Sequence, residues 1–136
     1  MICYDHPVKV YYKDIDQMGI VYYSRYFEFF EEARTELLNS IGLDVTTIEE
    51  NGIYLPVITS QCDYKKGAEF EQEIVVKTSI SDLPKSRLTI DYEVVDSVGT
   101  ILVTGYTIHA FMKKNGRPTK VPETILKTLK QNMKPS

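Results

Sequence analysis

The sequence predicts an α+β domain in which a curved antiparallel sheet of five to six strands wraps around one long central helix. The stretch Ser24–Ile41 supports the helix, because it lacks glycine and proline and repeats apolar residues at helical spacing. Four later stretches support the sheet, because they are rich in β-branched residues or alternate polar and apolar residues. The apolar helix face needs a cover, and a sheet with one apolar face provides it.

The first part of the chain predicts one strand and two helices. Val8–Lys13 is a β-rich run that predicts a strand. Ser24 is placed to cap the long helix and Gly42 to end it. Asp44–Asn51 predicts a short second helix. The apolar face of the long helix contains Tyr26, Phe29, Phe30, Ala33, Leu37 and Ile41.

The second part predicts four strands and a final helix. The strands are Ile53–Tyr64, Glu73–Ile80, Arg87–Val95 and Ile101–Lys113, and the helix runs from Pro122 to about Met133. Pro56 indicates an edge position or an irregular start for the first of these strands. Short turns join consecutive strands, so we expect each strand to be the antiparallel neighbour of the next.

Composition and length exclude several classes of protein. A chain of 136 residues suits one domain, residues 1–136, and its net charge of −3 argues against nucleic-acid binding. Its apolar runs are far shorter than the roughly 20 residues that span a bilayer, so we expect no membrane span. The N-terminus lacks the pattern of a signal peptide, which with only two cysteines predicts a cytoplasmic protein. No Cys/His cluster has the spacing of metal ligands, so we expect no metal.

The polar loop before the long helix brings Asp16, and then Gly19, to the helix N-terminus. A helix N-terminus presents unpaired N–H donors and a partial positive charge. Asp16 is therefore either a structural residue that stabilises the loop or a catalytic carboxylate beside an oxyanion site. Asp14 is the rival carboxylate, although strand alternation favours a structural role for it.

The segment from Asp14 to Tyr23, Asp-Ile-Asp-Gln-Met-Gly-Ile-Val-Tyr-Tyr, is followed by Glu-Glu-Ala-Arg-Thr-Glu at 31–36. This pattern resembles the hotdog-fold acyl-CoA thioesterases, and most closely the 4-hydroxybenzoyl-CoA and Tol-Pal-associated thioesterase group. The resemblance implies that Asp16 is the catalytic carboxylate, as nucleophile or general base, and that the Tyr23 N–H polarises the thioester carbonyl. It also implies that Gly19 lets the loop approach the substrate. The Tol-Pal branch often has histidine where this chain has Tyr23.

The resemblance also implies an acyl-CoA substrate, no cofactor, and a homodimer or homotetramer with active sites between subunits. It assigns Lys85, Ser86 and Arg87 to contacts with the coenzyme A phosphates. Lys113, Lys114, Arg117 and Lys120 form a second candidate group. Among the aromatic residues at the start of the helix, Tyr22 is a candidate for the wall of an acyl pocket.

Other functions and other residues stay open from the sequence. The substrate could be a thioester of acyl carrier protein, or the chain could bind acyl-CoA without hydrolysing it. A hotdog hydratase is disfavoured, because it needs a catalytic histidine and neither His6 nor His109 is near the helix N-terminus. Glu31 is a reserve catalytic carboxylate, and Arg34 is interpreted as structural, with a partner across a dimer.

Overall fold

The computed structural model describes residues 1–135. Seven strands and three α-helices follow in this part of the chain. The elements are β1 (Ile2–Lys9), a 3₁₀ turn (Tyr12–Asp14), α1 (Arg25–Ser40), α2 (Val45–Glu50), β2 (Ile53–Tyr54), β3 (Val57–Tyr64), β4 (Glu73–Ile80), β5 (Arg87–Val95), β6 (Ile101–Lys113), β7 (Pro118–Thr119) and α3 (Glu123–Asn132). The predicted α+β class is confirmed, with five long strands and two strands of two residues each.

The long strands form one antiparallel sheet in the order β1-β4-β5-β6-β3. The two short strands, β2 and β7, pair with the last residues of β6. The expectation that β3 neighbours β4 is therefore wrong, because β3 pairs with β6 at the opposite edge. The connection between β3 and β4 is not a tight turn. It packs against the loop before α1, where the N–H of Val21 donates to the carbonyl of Ala68 over 2.8 Å.

The apolar face of α1 packs on the sheet as predicted. Tyr26, Phe29, Phe30, Ala33 and Leu37 are all buried, and Leu38 joins them. The ring of Phe30 stacks on that of Tyr92 in β5, with centroids 4.2 Å apart and planes 6° from parallel. Gly105 in β6 permits this packing. A Cβ at position 105 would lie 2.8 Å from Cε2 of Phe30 and 2.4 Å from the carbonyl oxygen of Gln61.

Two predicted strands have different bounds in the structure. The first strand is Ile2–Lys9 rather than Val8–Lys13, because the chain turns at Tyr12–Asp14, where the Asp14 carboxylate accepts the N–H of Tyr11 over 2.9 Å. Predicted strand 53–64 is split into β2 and β3, and Pro56 lies in the break. The chain must leave the ladder there, because proline has no N–H to donate.

Candidate active site

The loop between β1 and α1 folds back on itself as a small hairpin. The N–H of Gly19 donates to the carbonyl of Asp16 over 3.0 Å, and the N–H of Asp16 donates to the carbonyl of Ile20 over 2.9 Å. Gly19 has a φ of +79°, a left-handed conformation that costs other residues roughly 1–2 kcal/mol. The turn therefore favours glycine and places Asp16 beside the residues that lead into α1.

Only one oxygen of the Asp16 carboxylate accepts a hydrogen bond within residues 1–135. Its Oδ1 accepts the N–H of Met18 over 2.8 Å, and the side chain is half-buried. Within residues 1–135 no other hydrogen-bond donor and no cation contacts this carboxylate. One oxygen thus holds the loop, while the other is available to a water molecule or a substrate.

Both oxygens of Asp14, the rival carboxylate, have partners. It is 4% exposed, and its Oδ2 accepts the N–H of Tyr11 over 2.9 Å. Its Oδ1 lies 3.9 Å from Nε of Arg25 in the first turn of α1. A buried carboxylate needs such partners to offset its desolvation. These contacts make Asp14 a link between the loop and the helix.

The start of α1 presents two free N–H groups. The N–H of Tyr22 donates to the carbonyl of Asp14, whereas the N–H groups of Tyr23 and Ser24 have no acceptor within residues 1–135. Ser24 precedes the helix as predicted, but its hydroxyl makes no capping hydrogen bond. These two donors, at the positive end of the helix dipole, can stabilise an oxygen that gains negative charge.

The aromatic residues at this helix start lie within the electrostatic reach of Asp16. The rings of Tyr22 and Tyr23 are exposed, and their centroids are 4.5 Å apart. The pKa of Tyr22 is raised, first by the Tyr23 hydroxyl, then by partial burial and by the Asp16 carboxylate. The structure therefore brings together Asp16, Gly19, Tyr22 and Tyr23, four of the residues predicted as site residues.

The basic residues predicted from the sequence lie elsewhere in the same chain. Lys85, Ser86 and Arg87 are exposed at the start of β5. Arg87 is opposite Ala110 in β6, whereas Tyr64, which contacts Tyr23, is opposite Val103. These β6 positions are seven residues apart, which is roughly 23 Å along a strand. Within one copy of the chain, the basic residues and the Asp16 cluster therefore lie toward opposite ends of β6.

The two candidate groups of basic residues are neighbours. The N–H of Val121, just after the second group, donates to the carbonyl of Lys85 over 2.6 Å. The second group, Lys113, Lys114, Arg117 and Lys120, surrounds the turn between β6 and β7. The fold thus collects six basic side chains at one end of the sheet.

A cavity of about 580 Å³ lies between α1, α2 and the end of β6. Asp16 does not line it, but Lys113 and Lys114 do. Most of its wall is apolar, contributed by Leu38, Val45, Tyr54, Leu55, Pro56, Leu88, Ile90 and Met112. Arg34 and Glu31 also line it, and within residues 1–135 no carboxylate oxygen lies within 4 Å of the Arg34 guanidinium.

His109 lines this cavity from a buried hydrogen-bond chain. Its Nδ1 donates to the carbonyl of Leu55 over 3.1 Å, so Nε2 accepts the hydroxyl of Thr107 over 2.9 Å. The hydroxyl of Tyr92 then donates to the oxygen of Thr107 over 2.7 Å. Burial lowers the pKa of His109, and the charge of Arg34 lowers it further. His109 is thus a core residue whose two ring nitrogens both have hydrogen-bond partners.

Residues 1–135 contain neither a helix that could cross a bilayer nor a cluster of potential metal ligands. None of the helices there has the length and apolar character needed to cross a bilayer. In the same residues, no group of three His, Cys, Asp or Glu side chains is arranged to hold a metal ion.

Sequence reasoning missed one residue of the site, Tyr64, whose hydroxyl reaches the carbonyl of Tyr23. Only the pairing of β3 with β6 reveals this contact.

Comparison with known proteins agrees with the fold. The chain is 31% identical over 125 residues to the acyl-CoA thioesterase YbgC of Haemophilus influenzae, with 90% of each chain covered. It is 25% identical over 126 residues to the acyl-CoA thioester hydrolase YbgC of Escherichia coli O6:H1, with 92% of this chain and 94% of that one covered. A solved DHNA-CoA thioesterase from Staphylococcus aureus shares the fold, with a TM-score of 0.89 at 24% identity over 96% of this chain and 91% of that one.

The family model of the thioesterase-like superfamily matches residues 10–129. The matched region includes the Asp16 hairpin, α1, the sheet from β3 to β7 and most of α3. The resemblance to hotdog-fold thioesterases found in the sequence is thereby confirmed. The chain belongs to the thioesterase-like superfamily.

Proposed function

We propose that the protein is an acyl-CoA thioesterase that hydrolyses its substrate at the Asp16 hairpin. The proposal rests on one observation: a carboxylate with one unoccupied oxygen lies on the loop that leads to N–H donors without acceptors. Asp16 offers one unoccupied oxygen, and the N–H groups of Tyr23 and Ser24 lack acceptors in residues 1–135. The superfamily and the names of its YbgC relatives support this reaction class.

In the proposed reaction, the thioester carbonyl oxygen accepts the N–H of Tyr23 and the N–H of Ser24 beside it. Each N–H stabilises the oxyanion of the tetrahedral intermediate, and one such donor typically lowers the barrier by about 3–4 kcal/mol. Asp16 either attacks the carbonyl carbon, giving a mixed anhydride that water then hydrolyses, or removes a proton from an attacking water. In both cases the C–S bond breaks, the sulfur of coenzyme A takes a proton, and water supplies the oxygen of the acid.

Coenzyme A carries phosphates, which require cationic partners. Six basic residues lie around the start of β5 and the turn between β6 and β7, and two of them, Lys113 and Lys114, line the cavity. Lys85, Ser86 and Arg87 are the first candidates, because they open β5 beside Leu88, which lines the 580 Å³ cavity. The neighbouring cavity has the apolar wall that an acyl or pantetheine chain needs.

A second copy of the chain would join the two parts of this site. Within residues 1–135, β3 pairs only with β6, so its other edge is open. If two β3 edges pair antiparallel, the Tyr64 end of one strand meets the Val57 end of the other. Tyr64 contacts Tyr23, and Val57 is opposite His109, which lines the cavity. A homodimer of this kind brings the Asp16 cluster of one copy to the cavity of the other.

The assembly is tested by measuring molar mass with light scattering. We expect twice the chain mass of 15.6 kDa, or four times if two dimers associate. Ile58→Lys should reduce the mass to one chain and abolish turnover, because it places charge on the open edge of β3. Ile101→Lys is the matched control, since both isoleucines are 42% exposed. A fully active wild-type monomer would contradict the dimer.

The reaction is tested by thiol release from a panel of aliphatic and aromatic acyl-CoAs. We expect Asp16→Asn to lower kcat by about 100-fold or more, the usual contribution of a general base or nucleophile. The asparagine can still accept the N–H of Met18, so the loop should stay folded. Asp5→Asn is the control, because Asp5 is an exposed carboxylate in β1. Hydrolysis by Asp16→Asn near the wild-type rate would remove Asp16 from the mechanism.

The same assay, extended to thioesters of acyl carrier protein and combined with a binding measurement, separates the alternatives. A wild-type protein that binds acyl-CoA without releasing thiol would be a binding protein. A protein that hydrolyses only acyl carrier protein thioesters would use the basic residues to hold an acidic protein rather than coenzyme A.

A further inference from the structure

The side chain of Tyr64 connects the open edge strand to the start of α1. Tyr64 is the last residue of β3, and its hydroxyl donates to the carbonyl oxygen of Tyr23 over 3.1 Å. Its ring also packs edge-on against the ring of Tyr23, with centroids 6.5 Å apart, and lies 5.7 Å from that of Tyr26. One side chain therefore holds both the backbone and the ring of Tyr23.

This hydrogen bond constrains the N–H of Ser24, which is the next backbone donor after Tyr23. The carbonyl of Tyr23 and the N–H of Ser24 belong to one planar peptide group and point in opposite directions. The only other donor to this carbonyl within residues 1–135 is the N–H of Tyr26, at 3.4 Å. That distance exceeds the usual range of N–H···O hydrogen bonds. Without the hydroxyl of Tyr64, the peptide group would keep only this long contact.

We propose that Tyr64 is a positioning residue for the reaction, whose hydroxyl orients the peptide group between Tyr23 and Ser24 toward the thioester oxygen. The inference rests on the proposed thioesterase function. The hydroxyl stays protonated at neutral pH, because partial burial and the neighbouring Cys62 raise the pKa of Tyr64. It therefore donates a hydrogen bond throughout the working range of a hydrolase.

The test compares Tyr64→Phe with wild type in steady-state hydrolysis of an acyl-CoA. We expect kcat to fall by roughly two- to twelvefold, the rate equivalent of one neutral hydrogen bond, while KM stays unchanged. Tyr106→Phe is the matched control. The Tyr106 hydroxyl also joins β6 to β3, by a 2.9 Å hydrogen bond to Oε1 of Gln61 in the middle of β3. The control should keep the wild-type kcat.

Two results would overturn the proposal: an unchanged kcat in Tyr64→Phe, whether or not KM rises, or an equal loss of kcat in Tyr106→Phe. A second measurement does not depend on activity. The carbonyl ¹³C resonance of Tyr23 and the amide ¹⁵N resonance of Ser24 should shift in Tyr64→Phe and not in Tyr106→Phe. If wild type hydrolyses no thioester, the proposed function fails, and these resonances alone decide whether Tyr64 holds the peptide. Unshifted resonances would refute that role.

Discussion

The N–H of Tyr22 donates to the carbonyl of Asp14 over 2.8 Å, and this hydrogen bond closes the hairpin that carries Asp16 against the start of α1. The two aspartates of the motif thus differ in kind. Asp14 holds the hairpin to the helix through buried contacts, and Asp16 presents a carboxylate with a free oxygen. Substitution of Asp14 should therefore lower stability, whereas substitution of Asp16 should lower activity.

We predict that Asp14→Ala lowers the free energy of unfolding by about 1–3 kcal/mol, because the N–H of Tyr11 loses its carboxylate acceptor. Asp16→Ala should cost about 0.5 kcal/mol or less, since the hydrogen bond that it removes is exposed. Urea unfolding of both variants measures the difference. A larger loss of stability in Asp16→Ala would mean that Asp16, and not Asp14, is the structural residue.

Gly105→Ala should destabilise the protein by at least about 2 kcal/mol, the range of overpacked cores. The new Cβ would lie 2.4 Å from the backbone carbonyl oxygen of Gln61, which cannot move without distorting β3. Gly67→Ala is the comparison. Its Cβ would lie 2.6 Å from Cγ2 and 2.8 Å from Cβ of Ile20, and the loop that carries Ile20 can shift at a smaller cost than a strand inside the sheet. Thermal unfolding should therefore rank Gly105→Ala well below Gly67→Ala in stability, and the reverse order would contradict the packing described.

Stability should fall on acidification because of His109. Burial lowers the pKa of His109 in the folded chain, whereas an unfolded histidine has a pKa of about 6.5. Below that pH the unfolded chain binds a proton that the folded chain does not, so this group favours unfolding as pH decreases. When the unfolded chain binds one more proton than the folded chain, the free energy of unfolding falls by roughly 1.4 kcal/mol for each unit that the pH decreases. The free energy of unfolding measured between pH 7.5 and 5.5 should fall less steeply in His109→Gln.

An NMR measurement supplies the control for this prediction. The ring nitrogens of His109 should show the neutral Nδ1–H tautomer at pH 7, because Nδ1 donates to Leu55 and Nε2 accepts from Thr107. A protonated ring at that pH would contradict the hydrogen-bond chain.

Removing charge at the start of β5 should weaken substrate binding and leave chemistry intact. We expect Lys85→Ala and Arg87→Ala to raise KM for acyl-CoA about three- to tenfold with little change in kcat, since solvated phosphate contacts are individually modest. A pantetheine thioester that lacks the nucleotide phosphates should show no such change. Lys9→Ala in β1 is the control, and an equal rise in KM there would exclude a local phosphate site.

Much of the fold follows from local sequence pattern. The bounds of β4, β5 and β6 agree with the prediction residue for residue, because alternation and turn residues mark both ends of each strand. The end of α1 is equally local, since Gly42 adopts a φ of +80°. The pairing of β3 with β6 is different. It depends on contacts between residues 39 to 52 positions apart, for which neither strand carries a local signal.

The candidate site also has one part that could be predicted from the sequence and another that could not. The hairpin with Asp16 and Gly19 is a short continuous motif, so its place before α1 could be predicted from sequence. The contact between Tyr64 and Tyr23 could not, because it arises from the position of β3 in the sheet. The lack of a carboxylate partner for Arg34 among residues 1–135 could not be predicted either, since its surroundings come from four separate elements.

The stacking of Phe30 on Tyr92 has a consequence for the electrostatics of catalysis. This contact clamps α1 to β5 about two turns after Tyr23, and the hydroxyl of Tyr92 is itself held by Thr107. The amide dipoles at the helix start are thus fixed before any substrate arrives. In the proposed reaction, charge that develops on the thioester oxygen would meet dipoles that are already aligned, and the reaction would avoid the reorganisation energy that water has to supply.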